Sequence, residues 1–218
     1  QIEEDVIFCR TPGAISPGVL NKTILSLESI FSKNSHFDYV VRTTLTSFYV
    51  LPRLLDFLST LPRSNCYCGV RLRYSISGHP VYFASGSGFI LSAAIAKLLV
   101  GHKSILMDDK ILCDDVSIGL FLSKKGVPLL SAPRMDFMDI DSWFQYEEMI
   151  PGTEFHFRCT NPNLELRMTD ELYVMLDLLK KFYGVQIESK INVMGYDYRK
   201  WYRKVEFEKV IDDYYGID

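Results

Sequence analysis

Apolar residues recur every three to four positions from Val19 to Lys33, where Leu20, Ile24, Leu27 and Phe31 share one face, and this spacing predicts an amphipathic helix. The stretch Phe37–Val50 is β-branched and aromatic without a helical period, so it predicts a central strand running to about Arg42. Leu51–Arg63 returns to a short helix. Gly69–Ile76 and Val81–Leu91 read as two strands joined by a tight turn at Gly78-His79-Pro80. Ser92 is a natural N-cap for the apolar run Ala93–Val100, and Gly101 a natural stop. Asp114–Val127 predicts a helix with Val116, Leu120 and Leu122 on its apolar face, and Val127–Leu130 a strand after it. From Met135 to Pro151 aromatic and acidic residues mix without a period, which predicts an irregular loop over a pocket. Glu154–Arg158 alternates as a strand, with His156 opposite Phe155 and Phe157. Thr169–Gly184 predicts a strong amphipathic helix, with Thr169 as cap, Asp170 and Glu171 in its first turn and Gly184 as stop. At the N-terminus, Glu4–Arg10 predicts a short buried strand followed by a turn rich in Pro and Gly.

Strands and helices alternate, so the fold class is α/β, a mixed sheet flanked by helices. One α/β domain is expected over 1–190, with an aromatic and charged tail at 191–218 packing on it. The chain of 218 residues is 48% hydrophobic, enough for a continuous core. Its 24 basic and 27 acidic residues are interspersed rather than blocked. Nucleic-acid binding is therefore not expected, because tracking a phosphate backbone needs a basic stripe. The five cysteines show no CxxC and no Cys/His metal spacing, so they read as reduced thiols, most of them buried. No apolar run approaches the ~20 residues of a membrane helix, and no signal peptide opens the chain. These features place the protein in the cytosol, or in the Golgi lumen if an anchor precedes Gln1.

Two segments carry candidate chemistry. Ser85-Gly86-Ser87-Gly88 has no bulky side chain and offers backbone N–H groups to a phosphate or sugar, although such a segment also makes ordinary turns and bulges. It is neither a Walker loop nor a dinucleotide fingerprint. Asp114 and Asp115 follow, with the Asp108-Asp109 pair upstream. One aspartate would cap the helix, leaving the other to face a cleft and accept a proton from a hydroxyl nucleophile. His156 reads either as a structural histidine or as a metal ligand beside carboxylates. Trp143, Phe144 and Tyr146 form an aromatic cluster that packs in a core or, in a loop with Asp139 and Asp141, stacks on a sugar. A Ser-His-Asp triad has no support, since no GxSxG elbow is present.

Taken in order, YFASGSGFILSAAIAKLL and then DDVSIG resemble the signature of the inverting beta-1,3-glycosyltransferases, the family 31 galactosyltransferase and Fringe-like group. Upstream, PGVLNKTILSLESIF resembles that group's Asn-Leu-Thr-x-Lys-Thr-Leu run. The resemblance implies a GT-A-type fold, with a shortened N-terminal nucleotide-binding half, and transfer of a sugar with inversion. The donor would be a nucleotide sugar, a UDP-sugar first, and the acceptor a glycan or glycoprotein hydroxyl. By the same resemblance Asp115 is the base, Asp114 positions it or the acceptor, and Ser85, Gly86, Ser87 and Gly88 line the donor-sugar and acceptor cleft; from the aromatic cluster, Trp143 is the further candidate for positioning the acceptor. His156 is the metal-ligand candidate. Where the group carries its Asp-rich DxD motif, this chain has Arg42-Thr43-Thr44. Arg42 would neutralise the diphosphate directly with bidentate hydrogen bonds, which leaves Mn²⁺ possible but not required.

The leading expectation is thus an inverting nucleotide-sugar glycosyltransferase. A non-catalytic carbohydrate-binding or scaffold domain of the same fold is the alternative, favoured by the replaced DxD. A metal-dependent phosphate hydrolase using the acidic pairs is the third.

Overall fold

The computed structural model describes residues 9, 11, 18–33, 36–108 and 113–185. Apart from Cys9 and Thr11, the strand predicted over Glu4–Arg10 and the turn after it lie outside the described residues, as do Asp109 and the tail 191–218. The architecture is α/β, with two mixed sheets flanked by helices. The stretch expected as one domain over 1–190 divides into two compact units, one taking 1–45 and 52–133, the other 46–51 and 134 onward.

Unit 1 is built on a four-stranded sheet. Helix α1 (Leu20–Lys33) precedes strand β1 (Tyr39–Thr43), and helix α2 covers Leu51–Thr60. Strands β3 (Tyr67–Ile76) and β4 (His79–Ser92) form the hairpin, helices α3 (Ala93–Gly101), α4 (Lys103–Asp108) and α5 (Asp114–Lys124) follow, and β5 (Leu129–Ser131) closes the unit. The strand order is β1-β4-β3-β5, so among the described residues β1 is an edge strand rather than the central one expected. The stretch after Arg42 also does not continue as one strand, because residues 47–49 leave for the other sheet.

The β3–β4 turn is Ser77-Gly78, with φ of 49° and 81°. Two consecutive left-handed residues make the two-residue turn whose twist matches antiparallel strands. His79 and Pro80, expected in the turn, pair instead with Ile76 and Ser75. Ser92 caps α3 as expected, its Oγ accepting from the Ile95 N–H. Helix α1 buries Leu20, Ile24 and Leu27 in one cluster with Phe89, Leu91, Leu99, Ile118 and Leu122. Each such side chain contributes about 1.5–3 kcal/mol of burial.

Unit 2 holds strand β2 (Ser47–Tyr49), β6 (Met135–Phe137), helix α6 (Ile140–Tyr146), a 3-10 turn at Glu147–Met149, β7 (His156–Cys159) and helix α7 (Leu164–Tyr183). Its sheet runs β2-β7-β6. The irregular loop expected over Met135–Pro151 is therefore mostly regular. Asp139 and Ser142 form a reciprocal capping box that starts α6, a short-range signal that hydrophobic periodicity does not register. Helix α7 also begins earlier than Thr169. Asn161 turns the chain by accepting from the Asn163 N–H at 2.8 Å, while Asp170 is buried and accepts from Asn161 Nδ2 at 2.6 Å rather than lying in the first turn. Val50, Phe137, Trp143, Phe157, Cys159, Val174 and Leu178 form this unit's core. No helix of the described residues is long and apolar enough to cross a membrane.

Helix α5 approaches β4 closely at Gly119. A Cβ there would lie 2.3 Å from Phe83 Cβ and 2.9 Å from Phe83 Cα, so backbone would have to move. Gly119→Ala is expected to lose about 1–3 kcal/mol of stability through overpacking, despite alanine's better helix propensity. Equilibrium urea unfolding measures it.

Candidate functional site

Strand β4 does not run regularly beside β3. Gly69 pairs with Phe89 and Arg71 with Ala84, so five residue steps on β4 stand against two on β3, and Ser85-Gly86-Ser87-Gly88 falls in the excess. On the other side β4 stays in register with β1 as far as Thr43 opposite Gly88. The glycine-rich segment is thus a wide bulge inside a strand, a device that re-aims backbone groups. It is not a loop. Ser85 and Ser87 are buried, and their Oγ atoms lie 3.0 Å apart. Gly86 donates its N–H to Asp115 Oδ2 at 2.9 Å. A Cβ on Gly86 would sit 2.9 Å from that same oxygen, so glycine is what lets the carboxylate reach the strand. The Gly86 N–H is therefore committed to Asp115 rather than held open for a phosphate.

Neither aspartate is the N-cap of α5. Cys113 holds that place without a side-chain cap, and Asp114 and Asp115 both lie in the first turn, where the helix dipole favours negative charge. Their environments differ. Asp114 is buried and ion-paired to Arg42 Nη2 at 2.8 Å, with Thr23 Oγ1 donating at 3.5 Å. Burial raises the Asp114 pKa, and the neighbouring Arg42 guanidinium opposes that rise. Asp115 is half-buried and forms no ion pair among the described residues. Its Oδ1 accepts from the Val116 N–H at 2.9 Å and its Oδ2 from Gly86. An ionised carboxylate offers about four acceptor sites, so unused lone pairs remain on both oxygens.

Arg42 stacks over Phe89, with Cζ 5.6 Å from the ring centroid, and among the described residues its buried Nη1 has no acceptor. Thr44 Oγ1 approaches the Ser87 carbonyl at 3.5 Å. Unit 1 thus gathers Arg42, Thr43, Thr44, Ser85, Gly86, Ser87, Gly88, Asp114 and Asp115 where the end of β1, the bulge and the start of α5 meet. Arg42 also lines a cleft of about 320 Å³ between α1 and β1, with Lys22, Thr23, Leu27, Val40 and Leu91. Two members were not singled out from sequence. Thr23 is one; the other is Tyr67, buried in the sheet, whose hydroxyl accepts from the Ala84 N–H at 2.8 Å beside the bulge. Burial raises the Tyr67 pKa well above a normal phenol. No sequence motif marked either, since both act through contacts distant along the chain.

Trp143 and His156 belong to unit 2. Trp143 is fully buried, edge-on to Phe137 at 5.0 Å, and its Nε1–H donates to Asp177 Oδ2 at 2.9 Å. It presents no ring face for an acceptor to stack on, so of the two readings left open for the cluster Trp143 takes the core one and its acceptor-positioning role is not supported. Phe144 and Tyr146 are the exposed rings. His156 is buried, stacked on Tyr49 at 4.3 Å, with Nε2 3.1 Å from Ser47 Oγ. Burial, with Arg134 and Arg158 nearby, lowers its pKa to about 3. Among the described residues no three His, Cys, Asp or Glu side chains are grouped to hold a metal ion, and the charged neighbours of His156 include two arginines. The residues present do not fit Mn²⁺ at this histidine. Burial also pushes the Cys68 and Cys159 thiols up to about 12, so neither supplies a thiolate near neutral pH. No protein-family model and no curated protein matches the chain.

A histidine kept neutral in the folded state loses stability as pH falls, because the unfolded chain takes up the proton first. With an unfolded pKa of 6.5 and a folded value of about 3, the window runs from pH 6.5 down to 3. Between pH 7.5 and 5.0 the wild type is expected to lose about 2 kcal/mol more than His156→Phe, read from urea unfolding at both pH values. In unit 1, Asp114→Ala strands the Arg42 charge. Stranding a fully buried charge costs ~3–5 kcal/mol, and the partial exposure of Arg42 reduces this to about 2–3 kcal/mol. The double variant Arg42→Met/Asp114→Leu is expected to recover most of it.

Proposed function

We propose that this protein is an inverting glycosyltransferase of GT-A type, moving a sugar from a nucleotide sugar, UDP-linked in the first instance, to a glycan hydroxyl. The observation that carries the reading is the Asp115 carboxylate. It is half-buried, held by two backbone N–H groups at 2.9 Å and, among the described residues, in no ion pair with a cation. A base needs a fixed position, free lone pairs and access to the proton it removes. Asp114, by contrast, is spent on Arg42, and its part is to hold the start of α5.

In the proposed step the acceptor hydroxyl gives its proton to Asp115 as its oxygen attacks the anomeric carbon. The bond from that carbon to the diphosphate oxygen breaks on the opposite face, the nucleoside diphosphate leaves with the electron pair, and the configuration inverts in one displacement. Arg42 is the donor proposed for the diphosphate oxygens. Because Asp114 already matches its charge, it contributes hydrogen bonding more than net positive potential. The resemblance of the bulge and the α5 start to the family 31 signature supports the same reading. No step is assigned to a metal.

The neutralised Arg42 favours a second reading, a non-catalytic carbohydrate-binding domain of this architecture. The two separate by assaying transfer across a panel of nucleotide sugars and glycan acceptors, with and without Mn²⁺. Under the first reading Asp115→Asn lowers turnover by about 10²–10⁴-fold while the circular dichroism spectrum and melting temperature stay those of the wild type. Wild-type turnover by this variant excludes the base role. Glycan binding without transfer of any donor selects the second reading.

A further inference from the structure

The sheet of unit 2 has one apolar and one polar face. Phe48, Met135, Phe137, Phe157 and Cys159 pack with the core, so strand alternation puts Ser47, Tyr49, Asp136, His156 and Arg158 on the other side. Asp136 is the register partner of Arg158, yet its carboxylate is taken by Arg134, whose Nε and Nη2 reach Oδ2 at 3.1 and 2.8 Å. The Arg134 side chain is 4% exposed. Arg167 is committed as well, its Nε donating to Glu171 Oε1 at 2.7 Å. Arg158 forms no ion pair among the described residues, and its Nε is buried without an acceptor.

The charges do not balance. Arg134, Arg158 and Arg167 stand against Asp136 and Glu171, and His156 is neutral above about pH 3. Among the described residues, one positive charge of this group is unmatched. Burial and then Arg134 lower the proton affinity of Arg158, with Arg167 adding to them. An unpartnered guanidinium donor out of water is costly, and a bound ion or an ordered water is what relieves that cost. A guanidinium is a planar fork that matches tetrahedral oxyanions bidentately and stays charged at any physiological pH.

We propose that Arg158, with Arg134 on the same face of the sheet, is the centre of an oxyanion site on unit 2 that takes a phosphate group. The net charge excludes metal cations and suits a phosphate mono- or diester end, a free phosphate or the diphosphate of a nucleotide. The site does not rest on the transfer reading, since it is measured by binding without turnover.

The test is isothermal titration calorimetry on the full chain at low salt with inorganic phosphate, pyrophosphate and UDP, for the wild type, Arg158→Gln and the surface control Lys124→Gln. At least one probe is expected to bind saturably, with Kd raised tenfold or more in Arg158→Gln and unchanged in Lys124→Gln. Pyrophosphate and UDP binding alike and tighter than phosphate assigns the site to a diphosphate; equal affinity for phosphate and pyrophosphate assigns it to a single phosphate group. The anion-free melting temperature of Arg158→Gln is expected to equal or exceed that of the wild type, because an unmatched charge has been removed. No saturable binding of any probe overturns the proposal. So does equal affinity in wild type and Arg158→Gln, or an equal loss in the Lys124 control.

Discussion

Helix α5 lies so close to strand β4 that two glycines, one on each element, are required at the contact. Gly119 on the helix meets the backbone of Phe83, and Gly86 on the strand meets the carboxylate of Asp115. Close approach of this kind is a packing solution first, since it brings Ile118 and Leu122 of the helix into the same core as Phe89 and Leu91 of the sheet. It also has a polar consequence. The start of a helix carries unpaired N–H groups and positive dipole, and pressing that end onto a bulged strand puts the Gly86 N–H within reach of Asp115. The bulge, the helix and the carboxylate therefore depend on one distance of approach.

The Arg42–Asp114 pair holds the same helix start from the side of β1. A buried ion pair is weak evidence of net stability, because desolvation consumes most of the Coulombic gain. Its effect is on geometry: Arg42 links the edge strand to the first turn of α5, and Thr23 of α1 adds a second contact to the same oxygen. The two adjacent aspartates thus divide the work. One is buried, paired and structural, whereas the other is half-buried and, among the described residues, restrained by backbone donors. Unit 2 shows a contrasting arrangement. There, among the described residues, Arg134 and Arg167 each take a carboxylate, while the Nε of Arg158 is buried without an acceptor. Arg42 is matched by Asp114, whereas Arg158 forms no ion pair among the described residues.

Features whose physics is local are legible in the sequence. The apolar period of α1, the Ser92 cap and the general position of the β3–β4 hairpin follow from spacing and turn chemistry alone. The capping box of α6 was equally local but short, and it was hidden among aromatic and acidic residues that have no period. Trp143 shows a different limit: an aromatic ring looks the same in sequence whether it lies on a surface or, as here, in a core with its N–H satisfied by Asp177.

The sequence by itself determined the α/β class, most helices and strands, and the presence of a glycine-rich segment followed by an acidic pair. Those features rest on periodicity, capping and composition, which act between residues a few positions apart. Only the tertiary structure decided which aspartate is ion-paired and which is not, that Ser85–Gly88 is a bulge rather than a loop, and that, among the described residues, β1 is an edge and Arg158 forms no ion pair. Each of these depends on contacts between residues tens of positions apart, such as Arg42 with Asp114 and Gly86 with Asp115. A one-residue shift in register would reassign them without altering any local pattern.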